Sequence, residues 1–104
     1  MAREYDKLVR DHIPDIIEAD GETPVTHVAA GEEYGDRLAA KLVEEATEYR
    51  EDGSVAELAD VLEVFHTLRR YHGVSEDELA EKREQKAQQR GRFEDGIVLE
   101  RVDQ

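Results

Sequence analysis

Four acidic residues in the stretch VEEATEYREDGSVAELADVLEVF, residues 43–65, carry the spacing that could do chemistry. Glu45 and Glu48 form one i, i+3 pair, and Glu57 and Asp60 form a second. On a helix that spacing keeps both members of a pair on one face. The short Asp52-Gly53-Ser54 turn between them makes the two helices antiparallel neighbours. Counted from Gly53, Glu48 lies five residues back and Glu57 four forward, while Glu45 lies eight back and Asp60 seven forward. At a rise of about 1.5 Å per residue, each such pair sits at nearly one height. Four carboxylates can therefore converge in the groove between the helices. Two like charges about 5 Å apart at an effective dielectric of 20 repel by roughly 3 kcal/mol. Either the acids share protons at raised pKa values or a cation neutralises them. An all-oxygen donor set without His or Cys favours a hard ion, and Mg²⁺ is the usual choice when phosphate completes the ligands.

Other readings compete for some of these residues. Ser54 and Glu57 have the S-x-x-E spacing of a capping box, which would occupy Glu57 at a helix start. Glu44, Glu51 and Asp52 read most simply as solvated surface. Glu45 and Asp60 have the least structural reason to be acidic, because their faces are otherwise apolar and neither stands at a capping position.

The elements that must position these acids are mostly helical. HIPDIIEA, 12–19, predicts a short helix with Pro14 in the first turn and Gly21 just past the end. A long helix is expected from Glu32 to Asp52, a second from Ser54 to His72, and a third from a Ser75/Glu78 capping box to Arg90. The β-branched TPVTHVA, 23–29, and the apolar Ile97-Val98-Leu99 in the tail predict two strands that pair as a small β appendage. On the first long helix Leu38, Leu42, Ala46 and Tyr49 form an apolar stripe that includes Glu45. The second is apolar on two sides. One carries Val55, Leu58, Leu62 and Phe65; the other carries Val61, Val64, Leu68 and Tyr71, with Glu57 and Asp60 beside them. A helix apolar nearly all round is buried on several sides, so one side is expected to meet another subunit of a homodimer or higher homo-oligomer. The fold expectation is a single domain over 1–104, mainly α, a compact helical bundle with a small two-stranded appendage.

Composition narrows the function classes. The 104 residues hold 14 Lys and Arg against 27 Asp and Glu, a formal net charge of −13, which repels nucleic acid duplexes and anionic membranes. An acidic excess with ten Arg beside four Lys suits a high-salt cytoplasm, where screening relieves self-repulsion. The absence of Cys excludes disulfides, thiolate metal sites and Cys nucleophiles. The charged start MAREYDKLVRD has no apolar core of a signal peptide, and the expectation is a soluble cytoplasmic protein. His66 and His72 are six residues apart and do not share a helix face, which argues against zinc. Cations to hold phosphate are scarce. Lys82, Lys86 and Arg90 recur every four residues along the third long helix, and Lys7 and Arg10 form a second cluster. The plainer alternative is that they offset neighbouring acids such as Glu78 and Glu81.

Glu44-Glu45-x-x-Glu48 followed by Glu57-x-x-Asp60 resembles the EExxE…ExxD signature of the MazG-like all-α nucleotide pyrophosphohydrolases. The opening YDKLVRDHIPDII and the closing RGRFEDGIVL also resemble their phosphoribosyl-ATP pyrophosphohydrolase-like, house-cleaning branch. The resemblance spans nearly the whole chain. It departs from the superfamily in one respect: only eight residues separate Glu48 from Glu57, a minimal turn that leaves less chain to shape a nucleotide pocket. The resemblance implies an all-α NTP pyrophosphatase fold. It implies that Glu45, Glu48, Glu57 and Asp60 hold Mg²⁺, with Mn²⁺ as a substitute. Glu44 would be an outer-shell or water-orienting acid, so that Glu44, Glu45 and Glu48 act in catalysis. The implied reaction hydrolyses a noncanonical nucleoside triphosphate to monophosphate and pyrophosphate. Two alternatives stay open: phosphoribosyl-ATP hydrolysis in histidine synthesis, and a non-catalytic acidic helical interaction or regulatory domain.

Overall fold

The computed structural model describes residues 2–104, which form four helices and no strand. They are α1 (Ile13–Ala19), α2 (Gly31–Asp52), α3 (Val55–Tyr71) and α4 (Glu76–Arg90). The helical, bundle-like part of the architecture is the one expected, and its boundaries follow from local chemistry. Pro14 stands in the first turn of α1, where a missing N–H costs nothing. Gly53 ends α2 at φ 69°, a left-handed conformation that spares a side chain, and its N–H bonds to the Tyr49 carbonyl at 2.7 Å. Ser75 Oγ accepts the Glu78 N–H at 3.1 Å, so the cap expected of α4 is made. At the start of α3 the corresponding cap is absent: the Ser54 side chain accepts no hydrogen bond, which frees Glu57 from that role.

α2 and α3 are the helices that pack extensively on each other. Their seam buries Leu38 and Val64, and Glu45 with them. The α3 face used is that of Val61, Val64, Leu68 and Tyr71. On α2 the seam is rotated toward Glu45, so Ala46 is exposed and Tyr49 is 40% exposed, although both belong to the stripe expected to be inside. At the open end of the hairpin Tyr71 packs edge-on to Tyr34, and its hydroxyl donates to the Gly31 carbonyl at 3.1 Å.

The two expected strands do not form. Val25 and Val28 are 96% and 94% exposed, and Ile97, Val98 and Leu99 are 84%, 80% and 78% exposed. An isolated strand leaves its backbone groups unpaired and buries nothing, so neither segment alone is stable in extended pairing. Both run as irregular chain, and the β appendage is corrected to two open segments. The radius of gyration is 18.3 Å, against roughly 13 Å for a domain of this length packed on all sides. No helix among the described residues is long and apolar enough to cross a membrane.

Candidate metal centre

The α2–α3 hairpin gathers the acids as the levelling of their heights predicts. Carboxylate oxygens of Glu45, Glu57 and Asp60 lie within 4.8 Å of one another, and so do those of Glu44, Glu45 and Glu48. Glu45 belongs to both groups and joins them into one patch of five acids. Its residue is 7% exposed, because the α2 seam turns it toward α3. Glu45 Oε2 and Glu57 Oε2 are both buried and accept no hydrogen bond. A buried carboxylate oxygen without a donor costs free energy, so these two are the atoms that a cation or a shared proton would satisfy.

Cations border the patch on one side only. Lys41, one turn before the acids on α2 and 14% exposed at its side chain, lies 3.1 Å from Glu44 Oε2 and 3.3 Å from Glu45 Oε1. Lys7 reaches Glu44 Oε1 at 2.6 Å, and Arg10 reaches Asp60 Oδ1 at 2.7 Å. Both come from the N-terminal segment, which Arg37 ties to α2 through the Asp6 carbonyl at 2.6 Å and the Asp6 carboxylate at 3.0 Å. Asp6 takes φ 44°, a left-handed conformation that Asp tolerates better than most residues. Lys7, Leu8, Lys41 and Glu44 line a cavity of about 60 Å³ beneath this segment.

Five carboxylates against three cations leave two negative charges, the charge of one divalent ion. The titration of the acids follows first from burial and hydrogen bonding, and then from neighbouring charge. Burial pushes the Glu45 carboxyl above its ordinary range; Glu48 adds to the rise and Lys41 opposes it. Glu57 is also raised, first by loss of hydration and then by the charges of Glu48, Asp60, Asp52 and Glu45. Glu44 is held lower by its hydrogen bond from Lys7, and Lys7 is raised by the same bond. The donor set fits a hard divalent cation: all ligand atoms are carboxylate oxygens, they converge, and two of them are buried without partners.

Among the expected phosphate-binding residues, Lys7 and Arg10 stand at the acidic patch. Lys82, Lys86 and Arg90 lie exposed on α4, which does not pack along the hairpin, and none of them pairs with the patch. Sequence reasoning missed Lys41 and Arg37. The signal for Lys41 was its i, i+3 and i, i+4 spacing to Glu44 and Glu45. Arg37 had none, because its partner Asp6 is 31 residues away.

No protein-family model matches the chain, and neither does any solved structure. A stretch of 44 residues is 50% identical to part of an uncharacterized protein of Mycolicibacterium smegmatis, covering 42% of this chain and 45% of that protein. The chain thus matches under half the length of that relative, whose name carries no activity.

Proposed function

We propose that this protein is a Mg²⁺-dependent nucleoside triphosphate pyrophosphohydrolase, acting on a noncanonical nucleotide at the α2–α3 acidic patch. The observation that carries the reading is the convergence of Glu45, Glu57 and Asp60 within 4.8 Å, with two buried carboxylate oxygens left unpartnered. The EExxE…ExxD resemblance to MazG-like enzymes supports it. Glu45, Glu48, Glu57 and Asp60 would hold the ion. When bound, Mg²⁺ (or Mn²⁺ in its place) supplies stabilisation for charge developing on phosphate oxygens and acidifies the attacking water.

The chain's own residues have distinct tasks. Lys41 is fixed by its place in the helix and holds Glu44 and Glu45 in orientation. Glu44, kept ionised by Lys7 and Lys41, is the carboxylate suited to orient water. Lys7 and Arg10 lie on the exposed segment and can pass from carboxylate to phosphate oxygens without leaving the patch.

The test is pyrophosphate release from a panel of canonical and noncanonical nucleoside triphosphates with Mg²⁺. Release from at least one is expected, with loss in Glu45→Ala and Asp60→Ala. Activity that persists in both variants sinks the site assignment, and no release from any nucleotide sinks the enzymatic reading.

A further inference from the structure

Arg37 ties the N-terminal segment to the hairpin at a point outside the acidic patch. It stands one turn before Lys41 on α2, and Lys41 stands one turn before Glu44 and Glu45. Its guanidinium grips Asp6 with both ends of the fork. Nη1 donates to the Asp6 carbonyl at 2.6 Å, and Nη2 donates to Asp6 Oδ1 at 3.0 Å. That carbonyl belongs to the peptide group that leads into Lys7, so the grip fixes the direction in which the chain continues. Asp6 itself takes the left-handed turn, and Glu33 Oε2 holds Nη2 from one turn back at 3.3 Å. Side-chain exposure is 27% for Arg37 and 81% for Asp6, so the contact lies at the surface and outside the core.

Little else fixes the segment. Among the described residues, no backbone-to-backbone hydrogen bond joins residues 2–9 to one another or to a helix. Leu8 and Val9 are half-buried, and Leu8 lines the small cavity with Ala40 and Lys41. The other side-chain bonds from this segment to the hairpin are those of Lys7 and Arg10, which end on Glu44 and Asp60. These two cations are intramolecular competitors of any divalent ion that enters the patch. Arg10 holds an oxygen of Asp60 that the ion would take, and Lys7 places positive charge beside the same acids. A tethered competitor acts at an effective concentration set by its tether, so a loosened tether weakens it without changing its chemistry. We propose that Arg37 is a positioning residue: by gripping Asp6 it keeps Lys7 and Arg10 on the acids and so sets how tightly the patch takes a divalent ion. The inference rests on the reading of the patch as a Mg²⁺ site and does not require catalysis.

The experiment is calorimetric titration of the full chain with Mg²⁺ alone, paired with amide exchange across residues 6–11. Arg37→Ala is expected to bind Mg²⁺ roughly fivefold more tightly than wild type, with faster exchange over those residues. Asp6→Gly accepts the left-handed turn but removes the carboxylate half of the grip, and it shifts both readouts in the same direction by less. The shift has to act through the two cations. In Lys7→Ala/Arg10→Ala protein, itself tighter for Mg²⁺, adding Arg37→Ala changes the affinity by less than about twofold. A shift of full size in that background overturns the proposal, because it then reflects only the loss of a nearby positive charge. Mg²⁺ binding that is unchanged or weaker in Asp6→Gly, or in Arg37→Ala of wild-type helicity, overturns it as well while the metal reading stands. No Mg²⁺ uptake by wild type overturns both.

Discussion

Replacing Glu45 by Gln is expected to stabilise the metal-free protein and to abolish its response to divalent ions. Glu45 lies within 4.8 Å of carboxylate oxygens from four other acids and 3.3 Å from Lys41. At an effective dielectric of 20, each like pair at that distance repels by roughly 3.5 kcal/mol, and the lysine pair attracts by roughly 5 kcal/mol. Glu44 and Asp60 have cations of their own, so two uncompensated neighbours remain, and repulsion exceeds attraction by about 2 kcal/mol before protons are shared. Gln keeps an acceptor for Lys41 and removes the charge. The net gain in EDTA should be about 1 kcal/mol, a rise of roughly 4–8 °C in the melting midpoint. Wild type should gain about 2.7 kcal/mol when Mg²⁺ is raised to a hundredfold its dissociation constant, and the variant almost none. The pH dependence has a definite sign. Glu45 and Glu57 are raised above the ordinary value of 4.5, so the folded state holds their protons more tightly. Their contribution is complete below 4.5 and is lost as pH climbs through the raised values. Glu44 is lowered and acts oppositely, its contribution lost only as pH falls. Circular-dichroism melts in EDTA should therefore show wild type weakening as pH rises above 4.5, with a shallower slope in Glu45→Gln. A variant less stable than wild type in EDTA would refute the reasoning, since Glu45 would then be an ordinary partner of Lys41. Equal stabilisation of both proteins by Mg²⁺ would refute it too.

Lys41→Met removes the nearly buried cation between Glu44 and Glu45 and should cost roughly 1–3 kcal/mol in denaturant unfolding without metal. Ser75→Ala deletes the cap accepted from Glu78 and should cost about 1 kcal/mol, seen as lower helicity and faster amide exchange at the start of α4. Gly53→Ala forces a side chain into φ 69° at the hairpin turn and should lower stability by about 1 kcal/mol, with the acids and the metal response retained.

The helices were legible because their signals are local. Pro14, Gly53 and Gly73 sit where helix chemistry puts them, and Ser75 with Glu78 marks the start of α4 within four residues. The height-matching of Glu45 with Asp60 was also local in this sense, since a tight turn fixes the register of both helices. Ser54 misled, because an S-x-x-E spacing permits a cap without requiring one, and the Ser54 side chain makes none here. The strands misled for a different reason. β-branched residues at 25–29 and 97–99 express a preference for extended backbone, but a sheet also needs a partner edge that no short-range pattern supplies. The cation placement was the least legible part. Regular spacing along α4 drew attention to Lys82, Lys86 and Arg90, whereas Lys7 and Arg10 reach the acids across 37 and 50 residues of sequence.

That long-range placement gives the charge balance of the patch its meaning. The three cations are not equivalent, for Lys41 projects from a packed helix while Lys7 and Arg10 ride on a segment held chiefly through Asp6 and Arg37. Lys7 and Arg10 offset Glu44 and Asp60, and protons on Glu45 and Glu57 or a divalent ion would meet the remaining two negative charges. On the function proposed above, an incoming phosphate chain would bring further negative charge and compete for the same two side chains. Each one that transferred would leave a carboxylate uncompensated, which would deepen the demand for metal as phosphate arrives. Ion and nucleotide should then bind with positive coupling, each raising the affinity for the other by the same factor. The N-terminal segment would make that exchange available, because Lys7 and Arg10 stand outside the α2–α3 hairpin that gathers the acids.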